Sequence, residues 1–195
     1  VFGKHKLTVN ALATDVCAKR LYTGGGDGMI LCWDILTGQL LQELKGHDGP
    51  VFHLLVHNRM MYSCSSDKTA RAWVIEFGEC TRIYCGHGHT VSSMRYLDGM
   101  LYTGCGDKLA RIFEAKSGTL RRIFRGHAHA IMCMEVVKCK LFTGSYDGTI
   151  RVWDTTGVTD ETVFGAGVNE IDTKEVEDDS EEIRKAMKSL DPYIR

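Results

Sequence analysis

The 195-residue chain lacks the features that mark membrane-spanning or intrinsically disordered proteins. It contains only 2 prolines, and charged residues interrupt every apolar stretch before it reaches the ~18 residues that a membrane-spanning helix needs. The net charge is −1, so bulk charge gives no reason to expect a nucleic-acid partner or a membrane surface. Because 44% of the residues are hydrophobic, we expect a soluble protein with an apolar core.

Cysteine is present but lacks the spacing of a metal site. None of the 8 cysteines belongs to a Cys-x-x-Cys pair, the spacing typical of zinc ligands. Most of them, including Cys32, Cys64, Cys105 and Cys133, lie in apolar surroundings in the sequence, and we interpret them as small buried side chains in a reducing compartment. This pattern predicts an intracellular protein, cytoplasmic in the first instance with the nucleus as the alternative, and no metal or other cofactor.

The strongest pattern in the sequence is an internal repeat of 40 residues. A hydroxyl residue, an acid four positions later and an aromatic six positions after the acid recur four times, and a histidine precedes each set. The four sets are His5, Thr23, Asp27 and Trp33; His47, Ser63, Asp67 and Trp73; His87, Thr103, Asp107 and Phe113; and His127, Thr143, Asp147 and Trp153. Such a register of four different chemistries indicates one structural unit used four times.

Within each repeat the apolar residues alternate with a period of two, which predicts β-strands. Asp27-Gly28 and Asp147-Gly148 are of the type that forms a tight turn between two strands. Thr37-Gly38 and Ser117-Gly118 mark a second turn, which leads into a fourth strand. Each repeat is therefore predicted to form one four-stranded antiparallel sheet, which cannot bury both of its faces alone.

These residues resemble the WD-repeat family of β-propellers, with Gly-His near the start of a repeat and Trp33-Asp34 or Trp153-Asp154 near its end. The resemblance implies an all-β propeller of four-stranded antiparallel blades over residues 1–164. The repeats are expected at about residues 5–45, 46–85, 86–125 and 126–164. Because four blades account for only part of the usual ring, we expect either missing blades before residue 1 or completion of the ring by a second chain.

Residues 165–195 depart from the repeat and form a separate, acidic segment in the sequence. Residues 170–182 contain eight acids and one lysine, a composition that favours a solvated chain. Apolar residues then recur at helical spacing at Ile183, Met187 and Leu190. We therefore expect an acidic tail with a short C-terminal helix.

The family resemblance implies that each polar set forms a hydrogen-bonded chain from the indole through the hydroxyl and the histidine to the acid. A buried indole N–H needs an acceptor, and histidine can both donate and accept. The third set has Phe113 in the tryptophan position, so we expect it to keep His87, Thr103 and Asp107 and to depend more on packing. A hydrolase needs one nucleophile with an oxyanion hole, whereas these sets are equivalent copies. We predict no catalytic residue.

Function is therefore expected from exposed positions at one end of the sheets. By the family register that end carries Thr8, Pro50, Thr90 and Ala130; Asn10, Phe52, Ser92 and Met132; and Gly26, Ser66, Gly106 and Tyr146. Phe52, Met132 and Tyr146 are large, and we predict that they bind a protein partner, with Tyr146 as the foremost candidate. The alternative for Phe52 and Met132 is burial between repeats.

The sequence favours a non-enzymatic scaffold for protein–protein interactions. The alternative hypothesis is a substrate-receptor subunit of a ubiquitin ligase complex, although neither Trp33-Asp34-Ile35-Leu36 nor Trp153-Asp154-Thr155-Thr156 carries the arginine with which some family members contact an adaptor. RNA binding is a third hypothesis. We interpret the basic residues Arg121, Arg122 and Arg125 as the solvated edge of an outer strand instead of a nucleic-acid site.

Overall fold

The computed structural model of the protein describes residues 3–15, 17 and 19–158. Every regular element in this part of the chain is a β-strand. In chain order the strands are β1 (Val9–Thr14), β2 (Arg20–Gly25), β3 (Ile30–Asp34), β4 (Leu40–Leu44), β5 (Val51–His57), β6 (Met60–Ser65), β7 (Ala70–Val74), β8 (Glu79–Tyr84), β9 (Val91–Leu97), β10 (Met100–Cys105), β11 (Ala110–Glu114), β12 (Leu120–Phe124), β13 (Ile131–Val137), β14 (Lys140–Ser145) and β15 (Ile150–Asp154). No helix among the described residues is long and apolar enough to cross a membrane.

The strands form four antiparallel sheets, and each sheet is made of strands that follow one another in the chain. Sheet 1 contains β1–β4, sheet 2 contains β5–β8 and sheet 3 contains β9–β12. Sheet 4 contains the three strands β13–β15. Residues 160–164, which correspond in register to the fourth strand of the other sheets, lie outside the described residues, as do the predicted acidic tail and helix. The predicted all-β fold of antiparallel sheets is confirmed.

The turn between the second and third strands of each sheet requires one residue with positive φ. Gly28 and Gly148 fill this position in sheets 1 and 4, with φ of 76° and 79°. Lys68 and Lys108 fill it in sheets 2 and 3, with φ of 68° and 74°. A left-handed conformation is uncommon for lysine, so the turn geometry is imposed by the rest of the repeat and not by local preference.

Neighbouring sheets pack face to face and enclose three apolar cores. The core between sheets 1 and 2 includes Tyr22 and Trp73, that between sheets 2 and 3 includes Tyr62 and Phe113, and that between sheets 3 and 4 includes Tyr102 and Trp153. The first strands of successive sheets, β1, β5, β9 and β13, contact one another in order. Equivalent residues of successive repeats therefore form each core. The four sheets are arranged in chain order, with the first strand of each sheet next to the first strand of the following sheet.

The two outermost faces of the described sheets remain exposed. On sheet 1, Leu12 is 64% exposed, whereas its counterpart Leu54 on sheet 2 is 4% exposed. On sheet 4, Ile150 is 73% exposed, whereas its counterpart Ile30 on sheet 1 is fully buried. Leu12 and Ile150 therefore occupy register positions at which the equivalent residue of another sheet is buried against a neighbouring sheet.

The interpretation of most cysteines as buried is wrong. Cys32, Cys64 and Cys105 are buried in the cores, but Cys133 is exposed, as are Cys17, Cys85 and Cys139. Cys133 lies on the outer face of sheet 4, at the position that Ser93 occupies within a core, so its exposure follows from its place in the sheet order.

The interpretation of the Arg121–Arg125 cluster as a solvated edge is wrong for Arg121. This residue lies on the outer strand β12, but its side chain is buried and its guanidinium is ion-paired with Glu114 at the end of β11. Arg122 donates to the backbone carbonyl of Asp154, 3.1 Å away, and thereby links sheets 3 and 4. These two arginines therefore bind within the protein, and Arg125 is exposed.

Candidate protein-interaction surface

In sheets 1, 2 and 4 the repeated polar residues are joined in a chain of hydrogen bonds. In sheet 2 the Trp73 indole N–H donates to the Ser63 hydroxyl (2.8 Å), His47 Nε2 lies 2.7 Å from that hydroxyl, and His47 Nδ1 lies 2.7 Å from Asp67. The corresponding distances are 2.9, 2.7 and 3.0 Å in sheet 1 and 2.8, 2.8 and 2.9 Å in sheet 4. The chain runs from the middle of each sheet to the turn between its second and third strands.

The acid at the end of each chain holds two loops together. Asp27 accepts hydrogen bonds from the backbone N–H of Lys6, before the first strand, and of Met29, after the turn. Burial raises the pKa of Asp67, but hydrogen bonds from Thr69 and His47 outweigh burial and lower it below the ordinary value. The acids are therefore ionised at neutral pH and fix the ends of the sheets in one arrangement.

Sheet 3 is built differently from the other three. His87 Nε2 lies 2.9 Å from the Thr103 hydroxyl, but the buried Nδ1 of His87 has no partner among the described residues, so the expected link to Asp107 is absent. Asp107 instead pairs with Arg111, whose guanidinium nitrogens lie 3.1 and 2.7 Å from its two carboxylate oxygens. Phe113 packs on the His87 ring at 5.5 Å in place of a tryptophan.

Charge and burial keep His87 neutral. Burial, and then the charge of Arg111, lower the pKa of His87 to about 4. The Arg111 ion pair lowers the pKa of Asp107 to about 2, although burial of the carboxyl group acts in the opposite direction. Arginines recur at this register position as Arg71 and Arg151, so the sequence contains a repeated signal for Arg111 in addition to the pattern of histidine, hydroxyl, acid and aromatic residues.

The buried sets cannot meet a substrate. Ser63 and Thr103 are fully buried, and His47, His87 and His127 are also buried. Among the described residues no three metal-ligating side chains are grouped so that they could hold a metal ion. The side chains that are exposed to solvent lie mainly outside the hydrogen-bonded chains.

The exposed end of the sheets is formed by three residues from each repeat, which we call the turn-end surface. A backbone hydrogen bond joins the residue before the turn acid to the residue before the first strand: Gly26 to Thr8, Ser66 to Pro50, Gly106 to Thr90 and Tyr146 to Ala130, at 2.7 to 3.0 Å. The third member lies in a β-bulge near the start of the first strand and leaves the regular ladder: Asn10, Phe52, Ser92 and Met132. The structure therefore brings these twelve predicted positions together in sets of three.

The bulge residues of alternate sheets differ in chemistry. The Asn10 amide donates to the carbonyl of Val51 in the next sheet (3.2 Å), and the Ser92 hydroxyl donates to the carbonyl of Ile131 in the next sheet. Phe52 and Met132 have no such group, and they are 41% and 53% exposed. Together with Tyr146, which is 78% exposed, they give the turn-end surface its large apolar side chains. The alternative of burial between the sheets is therefore wrong for Phe52. Met132 lies on sheet 4, where no following sheet belongs to the described residues, so burial between sheets stays an alternative for it.

Comparison with known proteins identifies the repeat. The family model "WD domain, G-beta repeat" (WD40) matches residues 1–34, 38–73, 78–114 and 118–154. The chain belongs to the WD40 family. Each matched segment ends at or next to the aromatic residue of a polar set, so the family repeat is offset by about one strand from the sheets.

Solved structures share this WD40 arrangement of sheets. The chain is similar to the computationally designed Ika4 protein (TM-score 0.74, 27% identity, 79% of this chain and 95% of that one) and to the designed Ika8 protein (0.73, 27%, 78% and 48%). It also resembles the structure of U3-55K (0.73, 19%, 78% and 50%), a likeness of fold alone. The matched part is therefore about half of the Ika8 chain and half of the U3-55K chain.

Two curated relatives match one stretch of the sequence. "Ribosome biogenesis protein erb1" of Aspergillus niger and the protein of the same name of Emericella nidulans are each 44% identical over 52 residues. The match covers 26% of this chain and 7% of the length of each relative.

We predict that the hydroxyl at the centre of a polar set contributes measurably to stability. We expect Ser63→Ala to lower the free energy of unfolding by about 1–3 kcal/mol, because the buried indole N–H of Trp73 and Nε2 of His47 both lose their partner. Urea unfolding at pH 7 measures the difference.

Ser93→Ala is the matched control. Ser93 is also buried, but its hydroxyl has no hydrogen-bond partner among the described residues, and the counterpart in sheet 1 is Ala11. We expect this control to change stability by less than about 0.5 kcal/mol. Equal losses for the two variants would contradict a structural role for the polar set.

We predict that His87 makes the free energy of unfolding depend on pH. The unfolded chain binds a proton at His87 below about pH 6.5, whereas the folded chain does so only near pH 4. The free energy of unfolding should therefore fall as the pH falls through this window, by on the order of 3 kcal/mol from this group.

Urea unfolding of the wild type and of His87→Gln at several pH values between 7 and 4 tests this dependence. The variant should lose less stability over the window, and His129→Gln, at an exposed histidine, should follow the wild type. Parallel curves for wild type and His87→Gln would refute the proposed titration.

Proposed function

We propose that this chain is a non-enzymatic scaffold that binds protein partners through the turn-end surface. The observation that carries the proposal is the exposure of Phe52, Met132 and Tyr146 next to rigidly held turns. Large apolar and aromatic side chains are the usual anchors of protein interfaces. The buried polar sets, His5, Thr23, Asp27 and Trp33 among them, act in this proposal only as the support of that surface.

The partners that we propose are proteins, without a cofactor, nucleic acid or membrane. In support, the acids at the turns are already engaged by histidine, backbone or arginine groups, and Arg121 and Arg122 bind within the protein. We place the protein inside the cell, in the cytoplasm with the nucleus as the alternative, because all 8 cysteines are free thiols.

One finer assignment is a proposal. The run from Leu101 to Asp107 and the run from Leu120 to His127 resemble the C-terminal repeats of WD repeat-containing protein 86, and we propose that protein as a relative. No finding favours a ubiquitin-ligase receptor. The relatives named for ribosome biogenesis match over too little of their length to lend their partners to this chain.

We also propose that further sheets of the same repeat cover the two exposed outer faces. Leu12 and Ile150 occupy positions that are buried between sheets elsewhere, and propellers close with four to eight blades. The covering sheets would come from additional chain or from a second copy, whose face on sheet 4 would pack against sheet 1.

Affinity capture tests the binding surface. Immobilised wild-type chain should retain partner proteins that Tyr146→Ala releases, because truncating an exposed aromatic anchor weakens an interface by about 1–3 kcal/mol and leaves the fold intact. Phe77→Ala is the matched control: Phe77 is exposed in the turn between β7 and β8, at the opposite end of the sheets. Identical retention of partners by wild type and Tyr146→Ala would show that Tyr146 does not bind them. Equal losses of partners from Tyr146→Ala and Phe77→Ala would contradict a specific role for Tyr146 as well.

Dye binding and light scattering test the outer faces. We expect the 195-residue chain either to bind an apolar dye or to self-associate, and expect the double variant Leu12→Ser/Ile150→Ser to do less of both. Leu36→Ser, at a leucine that is exposed in the turn between β3 and β4, should behave like the wild type. A wild-type monomer that binds no dye would overturn the proposal.

A further inference from the structure

A cleft of about 300 Å³ opens between sheets 2 and 3, at the end opposite the turn-end surface. Tyr62 and Tyr96 form one side of it, Ala72 and Ala115 form part of its floor, and Arg82 and Lys116 lie at its edge. The Tyr62 and Tyr96 rings are stacked, with centroids 5.3 Å apart, and the far side of Tyr96 is packed against His57 at 4.3 Å. The aromatic side is therefore held in place by its neighbours.

The repeat itself shows why the cleft lies between these two sheets. At the positions of Ala72 and Ala115, the interface of sheets 1 and 2 has Cys32 and Ile75, and the interface of sheets 3 and 4 has Ile112 and Thr155. Both other pairs are larger than two alanines. The two alanines thus leave more space at the interface of sheets 2 and 3 than the residues at the same positions of the other two interfaces would.

The polar groups around the cleft are available to a ligand. Among the described residues neither the Tyr62 nor the Tyr96 hydroxyl has a hydrogen-bond partner, whereas the nearby Tyr84 hydroxyl donates to the carbonyl of Ala115 at 2.6 Å. Burial raises the pKa of Tyr62 to about 12, so its hydroxyl remains a donor at neutral pH. Arg82 and Lys116 are exposed, form no ion pair with a described carboxylate, and no acid lines the cleft.

This combination of an apolar floor, phenol donors and two unpaired cations fits an apolar side chain flanked by carboxylates. We propose that the cleft binds the chain's own acidic segment Glu170-Ile171-Asp172, with the Ile171 side chain on the alanine floor and the two carboxylates near Arg82 and Lys116. Two segments in the stretch of eight acids and one lysine at 170–182 have this acid–apolar–acid order, Glu170-Ile171-Asp172 and Glu175-Val176-Glu177. The first of them has the larger apolar side chain and lies nearer in the chain to the described sheets. Opposite charges at the cleft and on the segment favour the contact at moderate salt.

The length of chain after the described sheets allows this contact. Val158 packs on the core between sheets 3 and 4, one interface away from the cleft. Packed sheets lie ~10 Å apart, and the 13 residues from Val158 to Ile171 span up to ~45 Å when extended. The reach therefore exceeds the separation several-fold.

NMR of the full chain with labelled isoleucine methyl groups tests the proposal. The Ile171 methyl resonance, assigned with Ile171→Val, should be shifted upfield by the tyrosine rings and should show cross-relaxation to the ring protons of Tyr62 and Tyr96. Ala115→Ile, which gives sheet 3 the residue that sheet 2 has at Ile75, should fill the cleft and return Ile171 to its random-coil position. A random-coil Ile171 in the wild type would overturn the proposal, as would an Ile171 shift that Ala115→Ile leaves unchanged.

Charge variants keep the test decisive if Ala115→Ile does not fold. Arg82→Gln, or a rise in salt from 50 to 500 mM, should move the Ile171 resonance at least halfway towards random coil, because both weaken the attraction of the carboxylates. Arg122→Gln is the matched control, since Arg122 is the counterpart of Arg82 in sheet 3 and lies at the next interface. An Ile171 shift that responds equally to both arginine variants, or to neither, would contradict binding in this cleft.

Discussion

The structure depends on burying apolar sheet faces against one another. A four-stranded sheet of this repeat has apolar residues on both faces, with a tyrosine on one face of most sheets and a tryptophan or phenylalanine on the other. Exposing either face to water is unfavourable, so a single sheet is not stable alone. Packing two sheets covers one face of each, so every added sheet removes one exposed face and creates another. The fold is therefore stabilised mainly by contacts between repeats, and the exposed Leu12 and Ile150 mark where the series stops within the described residues.

Against this apolar packing, the hydrogen-bonded polar sets have a positional role. They satisfy an indole N–H and a histidine that lie within the sheets, and their acids fix the turn and the preceding loop at one end. Sheet 3 shows that the arrangement tolerates substitution. Arg111 forms the ion pair with Asp107 where histidine contacts the acid in the other sheets, and Phe113 occupies the position of the tryptophan. The loop ends remain in place, and Gly106 and Thr90 still pair across them.

The sequence predicts the sheets well because hydroxyl, acid and aromatic recur at intervals of 40 residues and the apolar residues alternate between them. The family resemblance also places Tyr146 and its neighbours at one end. The sequence does not predict the β-bulges that expose Phe52 and Met132, because a bulge depends on pairing with the next strand. The burial of Arg121, the ion pair of Asp107 and the exposure of Cys133 likewise depend on which residues of other strands or sheets lie opposite them. The sequence of one repeat does not contain that information.

We infer that the repeated histidine, hydroxyl, acid and aromatic residues have a structural role and are buried within separate sheets. The most direct measurement is hydrogen exchange at the three tryptophan indole N–H groups, followed by NMR. The account predicts that Trp33, Trp73 and Trp153 are all strongly protected, since each donates to a buried hydroxyl. Exchange of any of these indole protons at the rate of a solvent-exposed tryptophan would contradict it.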